Sequence, residues 1–173
     1  MEHFTKQESC KPYFESAFGY AVFEDIRKIG IAIAGGATGH GKVCIKNEDG
    51  VFEKVGTSEM IQASVGPQFG GQVYSMIIFF ETERDYNHFV VENFEFGADA
   101  NVVALTASAS GKASTIDKNV RLMAGMNQND IAYEHSTNAL LYTKGMAVFT
   151  STKVGLMYEA SLSGQKYKFT ALE

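Results

Sequence analysis

Hydrophobic and polar residues alternate along much of the chain, in short runs separated by glycine or polar turns. The clearest run spans residues 28–34, where Ile29, Ile31 and Ile33 share one face of a strand and small residues occupy the other. The small residues indicate that another part of the chain packs closely against their face. Glycines between residues 35 and 41 flank a predicted turn that leads into a strand at residues 42–46, and Asn47-Glu48-Asp49-Gly50 has the composition of a hairpin turn. The pattern therefore predicts many short strands.

Two segments carry the apolar spacing of a short helix. The first, residues 9–18, has Pro12 in its first turn, and one face collects Cys10, Tyr13, Phe14, Ala17 and Phe18. The second begins at a capping box formed by Thr82 and Asp85. We therefore predict an α+β protein, predominantly antiparallel β, with a curved or barrel-like sheet and one or two short helices. We expect a single domain over residues 1–173, with a helical segment at 1–18 and a β-rich core at 19–173.

The composition is that of a globular domain: 173 residues, 45 % hydrophobic and 20 % charged. The formal net charge of −5 argues against general nucleic-acid binding. The longest apolar run, residues 29–37, falls far short of the roughly 20 residues of a membrane-spanning helix. The first eleven residues do not resemble a signal peptide. We therefore expect a cytoplasmic protein, or a periplasmic or membrane-associated one if a leader has been removed.

Candidate catalytic and metal-binding motifs are incomplete. Residues 36–42 match the spacing G-x-x-x-x-G-K, but Val43 stands where a phosphate-binding loop needs serine or threonine to ligate Mg²⁺. His40 and Cys44 are four residues apart without an orienting carboxylate, so a nucleophilic pair is poorly supported. Cys10 and Cys44 could form a disulfide, which the sequence alone does not decide. We predict no catalytic residues, metal site, cofactor or nucleotide.

Basic residues near the predicted strand ends are more informative than the net charge. They are Arg27, Lys28, Lys42, Lys46, Lys144 and Lys153. If these strand ends meet at one end of the sheet, these cations form an anion-binding patch within an acidic protein. The alternative is that they are scattered lysines that only aid solubility.

Four glycine-containing blocks, in order, resemble the SYLF domain family. They are Gly19–Phe23 with residues 28–43, Gln68-Phe69-Gly70-Gly71-Gln72, Phe96-Gly97-Ala98-Asp99-Ala100, and residues 142–146 with Val154-Gly155-Leu156. The resemblance covers about residues 10 to 164 and eleven of the 17 glycines. The chain looks like a stand-alone, bacterial-type member.

The resemblance implies a β-rich, non-enzymatic domain that binds anionic phospholipids, phosphoinositides in eukaryotic members, and in some members actin. Arg27, Lys28, Lys42, Lys144 and Lys153 would then contact head groups. The family's amphipathic N-terminal segment corresponds to the face of Tyr13, Phe14 and Phe18, which would insert into the bilayer or else pack onto the sheet.

Two further functions stay open. The first is a protein-interaction module for actin or an envelope partner, with the polar segment from Lys112 to Asp130 as a contact loop. The second is a small-ligand carrier, or an enzyme without a recognised motif, that uses a cavity inside the curved sheet.

Overall fold

Long antiparallel strands form most of the computed structural model, which describes residues 1–91, 94–96, 104–106, 142, 144–159 and 162–173. The helices are α1 (Glu2–Thr5), α2 (Lys11–Ser16) and α3 (Glu83–Val90). The strands are β1 (Gly19–Ile31), β2 (Ala34–Lys46), β3 (Phe52–Val65), β4 (Gln68–Phe80), β5 (Phe94–Phe96), β6 (Ala104–Thr106), β7 (Met146–Glu159) and β8 (Leu162–Ala171).

The strands form one sheet in the order β5-β8-β3-β2-β1-β4-β7-β6. Neighbouring strands are antiparallel except β6 and β7, which are parallel. The predicted α+β, mainly antiparallel class is confirmed. In the described part of the chain the sheet is open, with β5 and β6 at its edges, and α1 is a helix beyond the one or two predicted.

The strands are longer than the sequence pattern predicts, because glycines expected in turns lie inside β2. The turn after β1 falls at Ala32 and Ile33, and Ala32 has a φ of 59°. A Cβ on Gly41 would lie 2.6 Å from Cδ1 of Phe23, and one on Gly35 would lie 2.2 Å from Oε1 of Gln68. These two glycines are therefore needed where Phe23 and Gln68 closely approach the backbone of β2.

The sheet has two apolar faces, which we call inner and outer. The inner face carries α3 and buries a cluster that includes Phe23, Met60, Phe80, Phe89 and Tyr167. The outer face carries α1 and α2 above a second cluster that includes Phe4, Tyr13, Ile77, Phe79 and Phe149. Because successive side chains of a strand point to opposite faces, each face has its own core.

Local sequence signals place the helices. Pro12 lies in the first turn of α2, as predicted, since its missing N–H costs nothing there. The capping box of α3 is confirmed: the Oδ2 atom of Asp85 accepts hydrogen bonds from the backbone N–H and the hydroxyl of Thr82, at 3.1 and 2.6 Å. The hairpin turn is also confirmed, because Oδ1 of Asn47 accepts from the N–H groups of Asp49 and Val51.

Several predictions fall outside the described residues. They concern the segment from Lys112 to Asp130 and most of the block Phe96-Gly97-Ala98-Asp99-Ala100.

Candidate functional site

Three of the five predicted head-group contacts lie at one level of the sheet. Arg27 pairs with Val73 of β4, and Val73 pairs with Val154 of β7, next to Lys153. Lys28 follows Arg27 and alternates to the inner face. The Nζ atom of Lys153 lies 3.2 Å from Oδ1 of Asp25 in an exposed ion pair.

The other two cations lie elsewhere on the sheet. Lys42 is on the outer face, paired with Val22 and therefore closer to the N-terminal helices. Lys144 precedes β7 at the end where β1 begins, since Gly19 pairs with Phe80 and Phe80 with Met146. The structure thus places Arg27, Lys28 and Lys153 at one level of the sheet, with Lys28 on the opposite face from Arg27. Lys42 lies a short way along the outer face, and Lys144 lies apart. Apart from Lys144, these residues lie within strands and not in turns.

An open depression of about 430 Å³ lies around Lys42 on the outer face. Lys42, Lys54 and His40 line it together with two carboxylates, Glu24 and Glu59. The N-terminal ammonium of Met1 bonds the Glu24 carboxylate, which holds the pKa of that group below its usual range; Lys42 acts in the same direction, though less strongly. His40 approaches Glu59 at 3.8 Å. The depression therefore offers mixed charges that suit a zwitterionic or phosphate-bearing group at the surface.

The predicted insertion residues Tyr13, Phe14 and Phe18 pack against the protein. The Tyr13 and Phe14 rings lie 5.5 and 4.8 Å from that of Phe79, and Phe18 lies 5.8 Å from Tyr86. Packing onto the sheet, the alternative to insertion, is the arrangement observed. Insertion of Tyr13 and Phe14 into a bilayer would require α2 to leave the sheet. Phe18 does not share their face, because it follows α2 and contacts α3 on the inner side.

The motifs that suggested catalysis have structural roles in the described part of the chain. Residues 36–42 lie in the strand β2, so no helix follows the glycines to hold a phosphate. Cys10 and Cys44 are both free and buried, and burial raises the pKa of Cys10 to about 11, which keeps it a thiol. His40 is exposed, whereas Cys44 lies beneath the N-terminal helices.

Among the described residues, no cluster of three potential metal ligands occurs, and no helix is long and apolar enough to span a bilayer.

The sequence reasoning missed one feature of the outer face: a set of exposed apolar side chains that no helix in the described part of the chain covers. Ile26 belongs to the inner cluster, so alternation places Arg27, Ile29 and Ile31 on the outer face. Six strand residues there are each at least 60 % exposed, and we call them the apolar end: Ile29, Ile31, Ile61, Val65, Phe69 and Val154. The alternation of isoleucines in residues 28–34 was the available signal, but it does not tell an exposed face from a buried one.

Comparisons with known proteins agree with the resemblance. A family model described as Ysc84, Las17-binding protein actin regulator, matches residues 61–170. The chain is also similar to Beta cell expansion factor A of Aeromonas veronii, with 28 % identity over 165 residues, which are 95 % of this chain and 50 % of that protein. The chain thus spans about half the length of this curated relative. The matched family, also called SYLF, is known for lipid and actin binding and is not an enzyme family. This chain belongs to the Ysc84 (SYLF) family.

Proposed function

We propose that this protein binds the surface of anionic phospholipid membranes without catalysing a reaction, through Arg27, Lys28, Lys42, Lys144 and Lys153. Phosphoinositide-like head groups, with several phosphates, are the ligands that such a set would favour. The observation that carries the proposal is the separation of charge along the strands. Residues 26–46 contain four cations and no carboxylate, and residues 60–80 contain no charged side chain, in a chain with a net charge of −5.

The energetics require several of these cations to act together. Each lysine or arginine near an anionic bilayer contributes about 1 kcal/mol, and the attraction decays within a Debye length. The ion pair of Lys153 with Asp25 does not prevent this, because an exposed pair is worth only about 0–1 kcal/mol and exchanges readily for a phosphate. Binding should therefore be of moderate affinity and sensitive to salt.

A protein partner is the second candidate function. The description of the matched family, an actin regulator that binds Las17, favours it. Under this alternative the chain binds actin or an envelope protein through the segment from Lys112 to Asp130. Deleting that segment would then abolish capture of the partner and leave vesicle binding intact. Under the membrane proposal the contact is formed by the cations of the sheet instead.

Charge reversal tests the membrane proposal. The double variant Arg27→Glu/Lys153→Glu should bind vesicles of phosphatidylcholine with phosphatidylglycerol at least tenfold more weakly than the wild type, because each reversal replaces an attraction of about 1 kcal/mol with a repulsion. Co-sedimentation at low salt gives the partition coefficients. Both side chains are exposed, so the melting temperature should not change.

Lys144→Glu is the matched single reversal at the other end of the sheet. If Lys144→Glu lowers the vesicle partition coefficient about as much as Arg27→Glu or Lys153→Glu alone, the contact extends to all five cations. A much smaller decrease would restrict the contact to the level of Arg27. Wild-type affinity in the double variant and in Lys144→Glu would contradict the proposal.

A further inference from the structure

The apolar end is built from neighbouring strands in register, so its side chains adjoin one another. Ile31 pairs with Ala34, which pairs with Val65, and Phe69 lies next to Ile31 on the other side. In the row of Arg27, Ile61 lies two strands away on one side and Val154 two strands away on the other. The patch thus extends over five strands and four residues, about 19 Å by 14 Å. The rows of Ile31 and Ile29 form an apolar surface rather than a set of single exposed residues, and the row of Arg27, which includes Thr38, borders it.

Charge is ordered along the same outer face. The rows nearest the β1–β2 turn hold Ile29, Ile31, Val65 and Phe69, and the next row holds Arg27. Farther from the turn come the mixed charges around the depression, which include Lys42 and Glu59. The outer face thus presents apolar side chains nearest the β1–β2 turn, then a cation, then mixed charges. The interface of an anionic bilayer presents matching environments in the same order: the apolar phase, the phosphates and the aqueous layer.

A second copy of this chain fits the patch less well. In a two-fold symmetric contact the patch would meet itself, and Arg27 would face the apolar end and the Arg27 of the partner. The described carboxylates nearest to Arg27 already have partners, since Asp25 pairs with Lys153 and Glu59 approaches His40. An anionic membrane supplies the phosphates that Arg27 needs and the apolar phase that the isoleucines and Phe69 need.

We propose that the apolar end is the part of this protein that enters the membrane interface, with Arg27 at the level of the phosphates. This inference rests on the proposed membrane binding and assigns the depth and orientation of the contact. It places the inserted residues on the sheet, and α2 stays packed on the outer face throughout.

Single tryptophans test the orientation, because the chain contains none. In Phe69→Trp, adding phosphatidylcholine–phosphatidylglycerol vesicles should shift the fluorescence to shorter wavelength, and lipids brominated in the acyl chains should quench it. The matched control is Val51→Trp, since Val51 is 58 % exposed in the hairpin turn at the opposite end of β3. Its emission should stay that of a tryptophan in water. A blue shift and quenching in Val51→Trp alone, or in neither variant when the protein is bound, would overturn the inference.

A second pair of variants measures the contribution of the patch. Ile31→Ser/Phe69→Ser should lower the vesicle partition coefficient at least tenfold, whereas Val51→Ser/Leu172→Ser, at other exposed apolar positions, should leave it unchanged. Both variants should melt at the wild-type temperature, because the replaced side chains contact solvent. A large drop in the melting temperature of Ile31→Ser/Phe69→Ser would show that protein covers the patch. So would a dimeric wild type from which this variant differs by being monomeric. Either result would overturn the inference.

The outcomes also separate this inference from the proposed function. If the wild type does not bind anionic vesicles, the proposed membrane function is wrong. If the wild type binds and Ile31→Ser/Phe69→Ser binds equally well, membrane binding stands and the apolar end is not its contact.

Discussion

Replacing Phe79 with alanine should lower the free energy of unfolding by about 3–5 kcal/mol, the usual range for a buried phenylalanine. Phe79 is fully buried at the centre of the outer-face cluster. Its ring lies 5.5 Å from Tyr13, 4.8 Å from Phe14 and 5.9 Å from Phe149. The truncation removes the surface on which α2 is seated, so the loss includes both apolar burial and the contacts of the N-terminal helices.

Urea denaturation followed by circular dichroism measures this loss. Phe69→Ala is the matched control, because Phe69 lies in the same strand but is 73 % exposed, and its truncation should cost less than about 0.5 kcal/mol. Equal losses in the free energy of unfolding for the two variants would contradict the burial of Phe79 and the exposure of Phe69.

The same variants also test how the N-terminal face acts. If Tyr13 and Phe14 insert into bilayers, Phe79→Ala would release α2 and raise vesicle affinity; if they serve only to pack α2 onto the sheet, the affinity will not rise.

Gly145→Ala should cost about 2–4 kcal/mol. Gly145 has a φ of +76°, in the left-handed region, where a Cβ costs about 1–2 kcal/mol. The added Cβ would also lie 2.1 Å from Cγ of Asp85, the partner of Thr82 in the capping box of α3. Displacing that carboxylate forfeits the capping box, which is worth about 0.5–2 kcal/mol. The strain and the lost cap therefore add.

Gly50→Ala separates these two contributions. Gly50 has a nearly identical φ of +77°, but a Cβ there meets nothing within 4 Å. Since the backbone strain is the same, this variant should lose only about 1 kcal/mol, partly offset by the reduced entropy of the unfolded chain. Equal losses at the two glycines, measured by thermal melting, would show that the contact with Asp85 contributes nothing.

The sequence predicts best the features that neighbouring residues determine. Thr82 and Asp85 specify the start of α3, and Asn47 specifies its own turn, through hydrogen bonds that span only a few residues. The glycines of β2 were assigned wrongly because glycine serves both turns and close approach. Only the tertiary neighbours, Phe23 against Gly41 and Gln68 against Gly35, show which role applies.

The candidate site was predictable in its residue types and not in its arrangement. Arg27, Lys42 and Lys153 were identified by charge, but the distance between them depends on strand register, which is a long-range property. The isoleucines of β1 are visible as a strand face in the sequence. Whether that face is buried depends on how far α1 and α2 extend, and they stop before reaching Ile29.

Binding of the wild-type protein to vesicles of controlled charge tests the central claim most directly. The partition coefficient is measured by co-sedimentation with phosphatidylcholine alone and with phosphatidylcholine containing phosphatidylglycerol, each at low and high salt. If cations bring this protein to an anionic membrane, binding will require the anionic lipid and weaken several-fold at high salt. Equal binding to both vesicle types, or to neither, would contradict that claim.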